Sequence, residues 1–119
     1  MKPVARILAL AAIASSLFAG AAVAAAPASF GACAACHSVD GSAGVGPSFK
    51  GVYGRKAGSA KGFAFSPAMR KSGLTWDDKS LDSFLTDPQK AIPGNVMPFP
   101  GVADGKQRAE IIEYLKTVK

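Results

Sequence analysis

Apolar residues fall into three regimes along the chain. Residues 1–26, MKPVARILALAAIASSLFAGAAVAAA, are apolar almost without interruption after Lys2 and Arg6. Residues 38–65 are rich in glycine and follow neither a helical nor a strand period, which reads as an extended, ordered loop wrapped over something. From Ser66 onward apolar positions recur in short helical bursts, each with its own start signal. Ser66-Pro67 is an N-cap followed by proline at the first helical position, and Gly73 ends that helix. Thr75 reads as the next N-cap, with Asp78 three residues on as a variant capping box and Leu81, Phe84 and Leu85 as one apolar stripe. Asp87-Pro88 starts a further turn, and Asp104 caps GKQRAEIIEYLKTVK, where Ile111, Leu115 and Val118 share a face. Ahead of the loop, a short helix is expected from Ser29, as its N-cap, through His37. Strand-like alternation is scarce and no repeat is visible, so the pattern predicts one all-α domain of short helices joined by long loops.

The first regime is a signal peptide by its basic start, apolar run and small-residue end. The Ala22-Val23-Ala24 triplet places cleavage after Ala24, giving a leader at 1–24 and a domain at 25–119. A membrane anchor is the weaker reading, because the run is mostly alanine broken by Ser15, Ser16 and Gly20, although about 20 apolar residues could span a bilayer. The expected compartment is therefore the periplasm. Loss of two cations, Lys2 and Arg6, takes the formal net charge from +6 to +4, modest for a nucleic-acid binder, and no such motif is present.

A domain of about 95 residues has a marginal core. Its glycine-rich loop and short helices can bury little surface against each other, yet Phe49, Tyr53, Phe63, Phe65 and Phe99 sit in loops. Those aromatics need something flat and apolar to pack on.

The two cysteines and the single histidine all fall within Cys33-Ala-Ala-Cys36-His37. On a helical turn, positions i, i+3 and i+4 project together, so one planar ligand could meet all three. C-x-x-C-H is the attachment signature of c-type haem, with two thioethers to the cysteines and iron bound by the histidine. A zinc site needs four ligands, a thioredoxin-like pair expects a βαβ context, and a disulfide explains neither the histidine nor the aromatics. One covalent haem c with its iron is the expected cofactor.

No second histidine exists, so the sixth iron position falls to methionine, lysine, water or nothing. Met1 leaves with the leader. Met97 lies in IPGNVMPFPG, where Pro93, Gly94, Pro98 and Pro100 stiffen the loop, whereas Met69 sits in a short helix and reads better as pocket packing. Met97 is the favoured ligand, an arrangement that raises the potential and suits electron transfer.

C-x-x-C-H, then GPSFKGVYGR, LTW, IPGNVMPFPG and EYLK, in order and with matching spacing over nearly the whole mature chain, resemble a class I cytochrome c of the mitochondrial and bacterial soluble type. The resemblance implies an all-α fold whose terminal helices cross beside the haem, with Tyr114 and Leu115 in the crossing. It further implies that Pro47 supports His37 through its carbonyl, that Arg55 and Trp76 anchor a haem propionate, and that Phe99 covers the exposed haem edge. Asn95 stands where those proteins have a threonine and joins the expected haem-binding set.

Phe65 and Phe84 replace tyrosines of that family and Met69 replaces an asparagine, so the pocket is expected to be drier and the potential higher. Its ring of lysines around the haem edge is depleted, with Ala32, Gln89, Val96, Ala103 and Asp104 at matching positions. Lys50, Arg55, Lys56, Lys61, Arg70 and Lys71 instead gather between residues 41 and 76, where no acid occurs. Docking is expected to rely on apolar contact around Ala32, Ala35, Pro98, Phe99 and Pro100. The expected activity is that of a one-electron carrier, not an enzyme, between a donor dehydrogenase or cytochrome complex and an acceptor oxidase or reductase. A dedicated haem subunit of a periplasmic dehydrogenase is the alternative. An open-site peroxidase or gas sensor is a remote third, since no distal histidine or acid is evident.

Overall fold

The structure is a computed structural model that describes residues 24–119; the leader expected at 1–24 lies outside the described residues except for Ala24. A 3-10 turn at Ala28–Phe30 leads into α1 (Gly31–Ala34), and after the long loop come α2 (Pro67–Lys71), α3 (Asp78–Thr86), α4 (Pro88–Ala91) and α5 (Gly105–Thr117). The described residues contain no strand, only an isolated antiparallel bridge between Lys56 and Thr75. No helix among them is long and apolar enough to cross a membrane.

Two of the expected caps form: Ser66 Oγ accepts from Met69 N and Asp104 Oδ1 from Gln107 N. Asp87, expected to start a turn, caps α4 by accepting from Lys90 N. Two expectations are corrected. Thr75 is not the cap of α3: Asp77 is, in a capping box with Ser80. Thr75 is drawn into the bridge with Lys56, and on either side of it Leu74 O accepts from Ala57 N at 2.8 Å while Trp76 N donates to Arg55 O at 2.9 Å. Long-range pairing holds this stretch extended, and the helix starts two residues later.

Ser29 is likewise not an N-cap. The chain turns at Pro27, whose carbonyl accepts from Phe30 N, and Ser29 lies inside the 3-10 turn with a buried hydroxyl that has no partner. Phe30 drives this placement. It is 4% exposed and meets Tyr114 edge-on at 4.7 Å, so the start of the chain docks on α5 through an aromatic pair rather than a long helix.

The core is one cluster in which Leu81, Phe84 and Leu85 of α3 join Ile111, Ile112, Tyr114 and Leu115 of α5, together with Val118. Burial of each large aliphatic side chain contributes roughly 1.5–3 kcal/mol. Polar clamps hold the same helices: Arg108 Nε binds Asp82 at 2.7 Å while its Nη1 donates to the carbonyls of Val102 and Ala103. Lys116 reaches both Asp78 and Glu113, and Tyr53 donates to the same Asp78 carboxylate, which ties the loop to both helices.

The segment after Phe99 returns to α3 through Gly101. Its φ is +110°, and a Cβ there would lie 2.2 Å from the Thr86 carbonyl oxygen. This close approach lets Val102 N reach Leu85 O at 2.7 Å. Gly101→Ala is therefore predicted to destabilise the protein by about 3 kcal/mol, combining backbone strain with overlap. Guanidinium unfolding followed by circular dichroism measures this, and a midpoint equal to that of the wild type would refute the packing described.

Candidate functional site

Cys33, Cys36 and His37 occupy one turn because the Cys33 carbonyl accepts from both later amides, from Cys36 N at 3.1 Å and from His37 N at 2.9 Å. Both cysteines are free; Cys33 is half-buried and Cys36 exposed. Burial pushes the Cys33 thiol up from its ordinary pKa, against a smaller effect of a backbone hydrogen bond.

The imidazole is fixed from several sides. His37 Nδ1 donates to the Pro47 carbonyl at 2.7 Å. A carbonyl only accepts, so the proton sits on Nδ1 and Nε2 keeps its lone pair. Phe49 stacks on the ring at 4.2 Å with an interplanar angle of 14°. Gly46 is buried beside it, where a Cβ would come within 2.5 Å of His37 Cε1. Gly46 N donates to Cys36 O, which pins the loop back on the turn. Burial lowers the histidine pKa and the Pro47 bond partly opposes this. The neutral form carries the free electron pair that a metal needs.

The Met97 segment is equally well held. Ile92-Pro93-Gly94-Asn95 forms a turn closed by Asn95 N to Ile92 O at 3.1 Å, with Gly94 at φ +86°, the signature of a type II turn. Met97 is half-buried against the core, and its backbone N–H donates to Asn95 Oδ1 at 3.0 Å. On the other side Phe99 N donates to Met97 O at 2.9 Å, across Pro98. Phe99 itself is half-buried.

The remaining expected residues divide. Arg55 gives Nη1 to Lys50 O and Nη2 to Ser48 O, stapling the loop, and keeps further donors for an anion. Trp76 is 8% exposed and packs edge-on against Phe84. Asn95, 5% exposed, spends both amide hydrogens on backbone carbonyls of this chain, Pro88 O at 2.8 Å and Ile92 O at 2.9 Å. It has none left to donate elsewhere. Gly46 was not in the expected set, and Phe49, expected to pack on a flat apolar group, was not expected on the imidazole; a glycine directly before Pro47 is the signal that could have marked the first.

A flat haem fits this donor set. Two free thiols and an imidazole lone pair share a turn, while Phe49, Met69, Leu74 and Met97 pack on the core yet stay only partly buried, apolar surface that such a group would cover. A metal cage does not fit: no three His, Cys, Asp or Glu side chains among the described residues converge as one would need.

The family model "Cytochrome c" matches residues 19–119. The chain is 56% identical over 95 residues to cytochrome c2 iso-2 of Magnetospirillum molischianum, across 79% of this chain and 98% of that protein. It is 49% identical over 89 residues to cytochrome c2 of Rhodoblastus acidophilus, across 73% and 83%. Among solved structures, cytochrome cH from Methylobacterium extorquens aligns with a TM-score of 0.72 at 53% identity, covering 75% of this chain and 91% of that one.

Gly46→Ala would drive a methyl into the His37 ring. The expected result is loss of the Pro47 bond, seen as a displaced imidazole in NMR spectra, with stability lower by about 1–3 kcal/mol. An unshifted imidazole in a stable variant would show that the glycine is not required.

Proposed function

The chain belongs to the cytochrome c family, and from that premise we propose that it is a periplasmic one-electron shuttle whose haem is attached through Cys33 and Cys36 and ligated by His37 and Met97. Membership makes it a c-type cytochrome with the class I fold, an electron carrier rather than an enzyme, and makes its cofactor a covalent c-type haem with iron. The haem supplies one-electron exchange between ferric and ferrous iron. The chain's part is to hold the ligands still and keep water away.

The single observation that carries the ligand reading is the 2.7 Å contact of His37 Nδ1 with the Pro47 carbonyl, which calls for the proton on Nδ1 and leaves Nε2 as the coordinating nitrogen. A thiol at Cys33 and another at Cys36, on the same turn, are the attachment points. The Met97 thioether is the sixth ligand, stiffened by its prolines and by Asn95. Arg55 and Trp76 stand as propionate partners and Phe99 as cover for the haem edge. Secretion through the leader at 1–24 places the shuttle in the periplasm, between a donor dehydrogenase or cytochrome complex and an acceptor oxidase or reductase.

Partner docking uses the apolar face around Ala32, Ala35, Pro98, Phe99 and Pro100, all exposed except the half-buried Phe99, with Val96 beside them at 72% exposure. The expected electron-transfer rate to a redox protein partner falls only shallowly with added salt. A steep fall would point to charge-driven docking instead.

The first test is the absorption spectrum of the ferric protein. The wild type is expected to show the weak long-wavelength sulfur-to-iron charge-transfer band, and Met97→Ala to lose it. A band that survives in Met97→Ala would transfer the role to Met69, while its absence from the wild type, with high-spin iron, would overturn His/Met ligation.

A further inference from the structure

Asn95 is the most fully engaged side chain in the molecule's ligand-bearing loop, and its orientation is determined by its neighbours. Two carbonyl oxygens face one end of the amide and one N–H faces the other, so only Nδ2 toward Pro88 and Ile92, with Oδ1 toward Met97, satisfies all three. Its backbone is committed too: Asn95 N donates to Ile92 O, and Asn95 O accepts from Gln89 Nε2 at 2.8 Å. Gln89 Oε1 in turn accepts from Gly94 N.

The anchors are among the least mobile points available. Pro88 is less than 2% exposed and opens α4; Ile92 is 3% exposed and follows it. The amide therefore connects the two ends of α4 to the backbone of Met97. Around it the loop is open to solvent: Pro93, Gly94, Val96 and Pro98 are all exposed. Those residues give Met97 no apolar packing, so beside its side chain's contact with the core and the Phe99 N–H on its carbonyl, the buried amide is what holds the Met97 N–H.

We infer that Asn95 is a positioning residue that acts through Met97 by holding its backbone N–H, and that it sets how firmly the thioether stays in place without contacting the haem itself. This rests on Met97 being the sixth ligand. Removing the amide frees the loop to swing outward from a hinge at Ile92, while the core beneath α4 stays packed. An external ligand then competes more successfully for the position.

The test uses the ferric holoprotein and imidazole as the probe. Asn95→Ala is expected to bind imidazole about tenfold or more tightly than the wild type and to show a weakened charge-transfer band. Asn95→Ser, which keeps an acceptor within reach of Met97 N–H, is expected to fall between them, and it carries the test if the alanine variant yields no holoprotein. Leu81→Ala, a core truncation in α3, lowers global stability and is expected to leave both readouts near wild type. The inference is overturned if the Asn95 variants bind imidazole within twofold of the wild type, or if Leu81→Ala shifts affinity as far as they do. Met97→Ala separates the premise: a retained band there sinks the ligand assignment and the inference together, whereas a lost band with unaltered Asn95 variants sinks the inference alone.

Discussion

The hydrogen bond from His37 Nδ1 to the Pro47 carbonyl, 2.7 Å long, is the contact on which the loop depends. It joins residues ten apart in sequence and thereby closes the stretch after the cysteine turn into a compact bend. Gly46 permits the approach, and Phe49 follows directly onto the ring face. From there the loop has a fixed starting point, so Arg55 can staple residues 48–50 and the Lys56–Thr75 bridge can form. A glycine-rich segment with little helical propensity would otherwise lose far more conformational entropy on ordering than its few apolar contacts return. The histidine both organises the loop and is oriented by it.

Charge is distributed unevenly over this framework. The six cations between residues 41 and 76 have no acid in that stretch, whereas seven of the eight acids lie from Asp77 onward. Among the described residues, the ion pairs all join α3 and α5 or lie within α5. Asp78, Asp82 and Glu113 serve the pairing within and between α3 and α5, while Asp77, Asp87 and Asp104 cap helices, and residues 41–76 are left positive. Lys116 illustrates the clamp: its pKa is raised because two carboxylates accept its hydrogen bonds, and one of these also accepts from Tyr53. The asymmetry follows from where the fold needs internal pairing.

Legibility of the sequence depended on how local each signal was. Ser66 and Asp104 act on amides three residues away and were readable from spacing alone. Thr75 carried an equally good local signal and lost to the bridge with Lys56, a partner 19 positions earlier whose pairing no spacing rule reveals. Ser29 failed for a related reason, since Phe30 had to reach Tyr114 and Phe49. That Cys33, Cys36 and His37 share one turn was legible because all three lie within five residues. Asn95 was singled out by the family resemblance, as the residue standing where those proteins have a threonine, but its use was hidden: the acceptors it satisfies at Pro88 and Ile92 are backbone atoms, which carry no mark in sequence.

Electron carriers face two demands that conflict. The face that meets a partner must be exposed, while the ligands behind it must barely move between oxidation states. Exposed loops are ordinarily the mobile parts of a protein, since they bury few contacts and their hydrogen bonds are open to water. Residues 92–100 divide between exposed and buried positions residue by residue. Val96, Pro98 and Pro100 are exposed, an apolar surface with few rotatable bonds, whereas Asn95 is buried and donates hydrogen bonds to the carbonyls of Pro88 and Ile92. Prolines restrict the backbone from outside and the amide fixes it from inside. Such a loop can be stripped of water by a partner without being reshaped by it. That is the property a shuttle needs if docking and electron transfer are to remain independent.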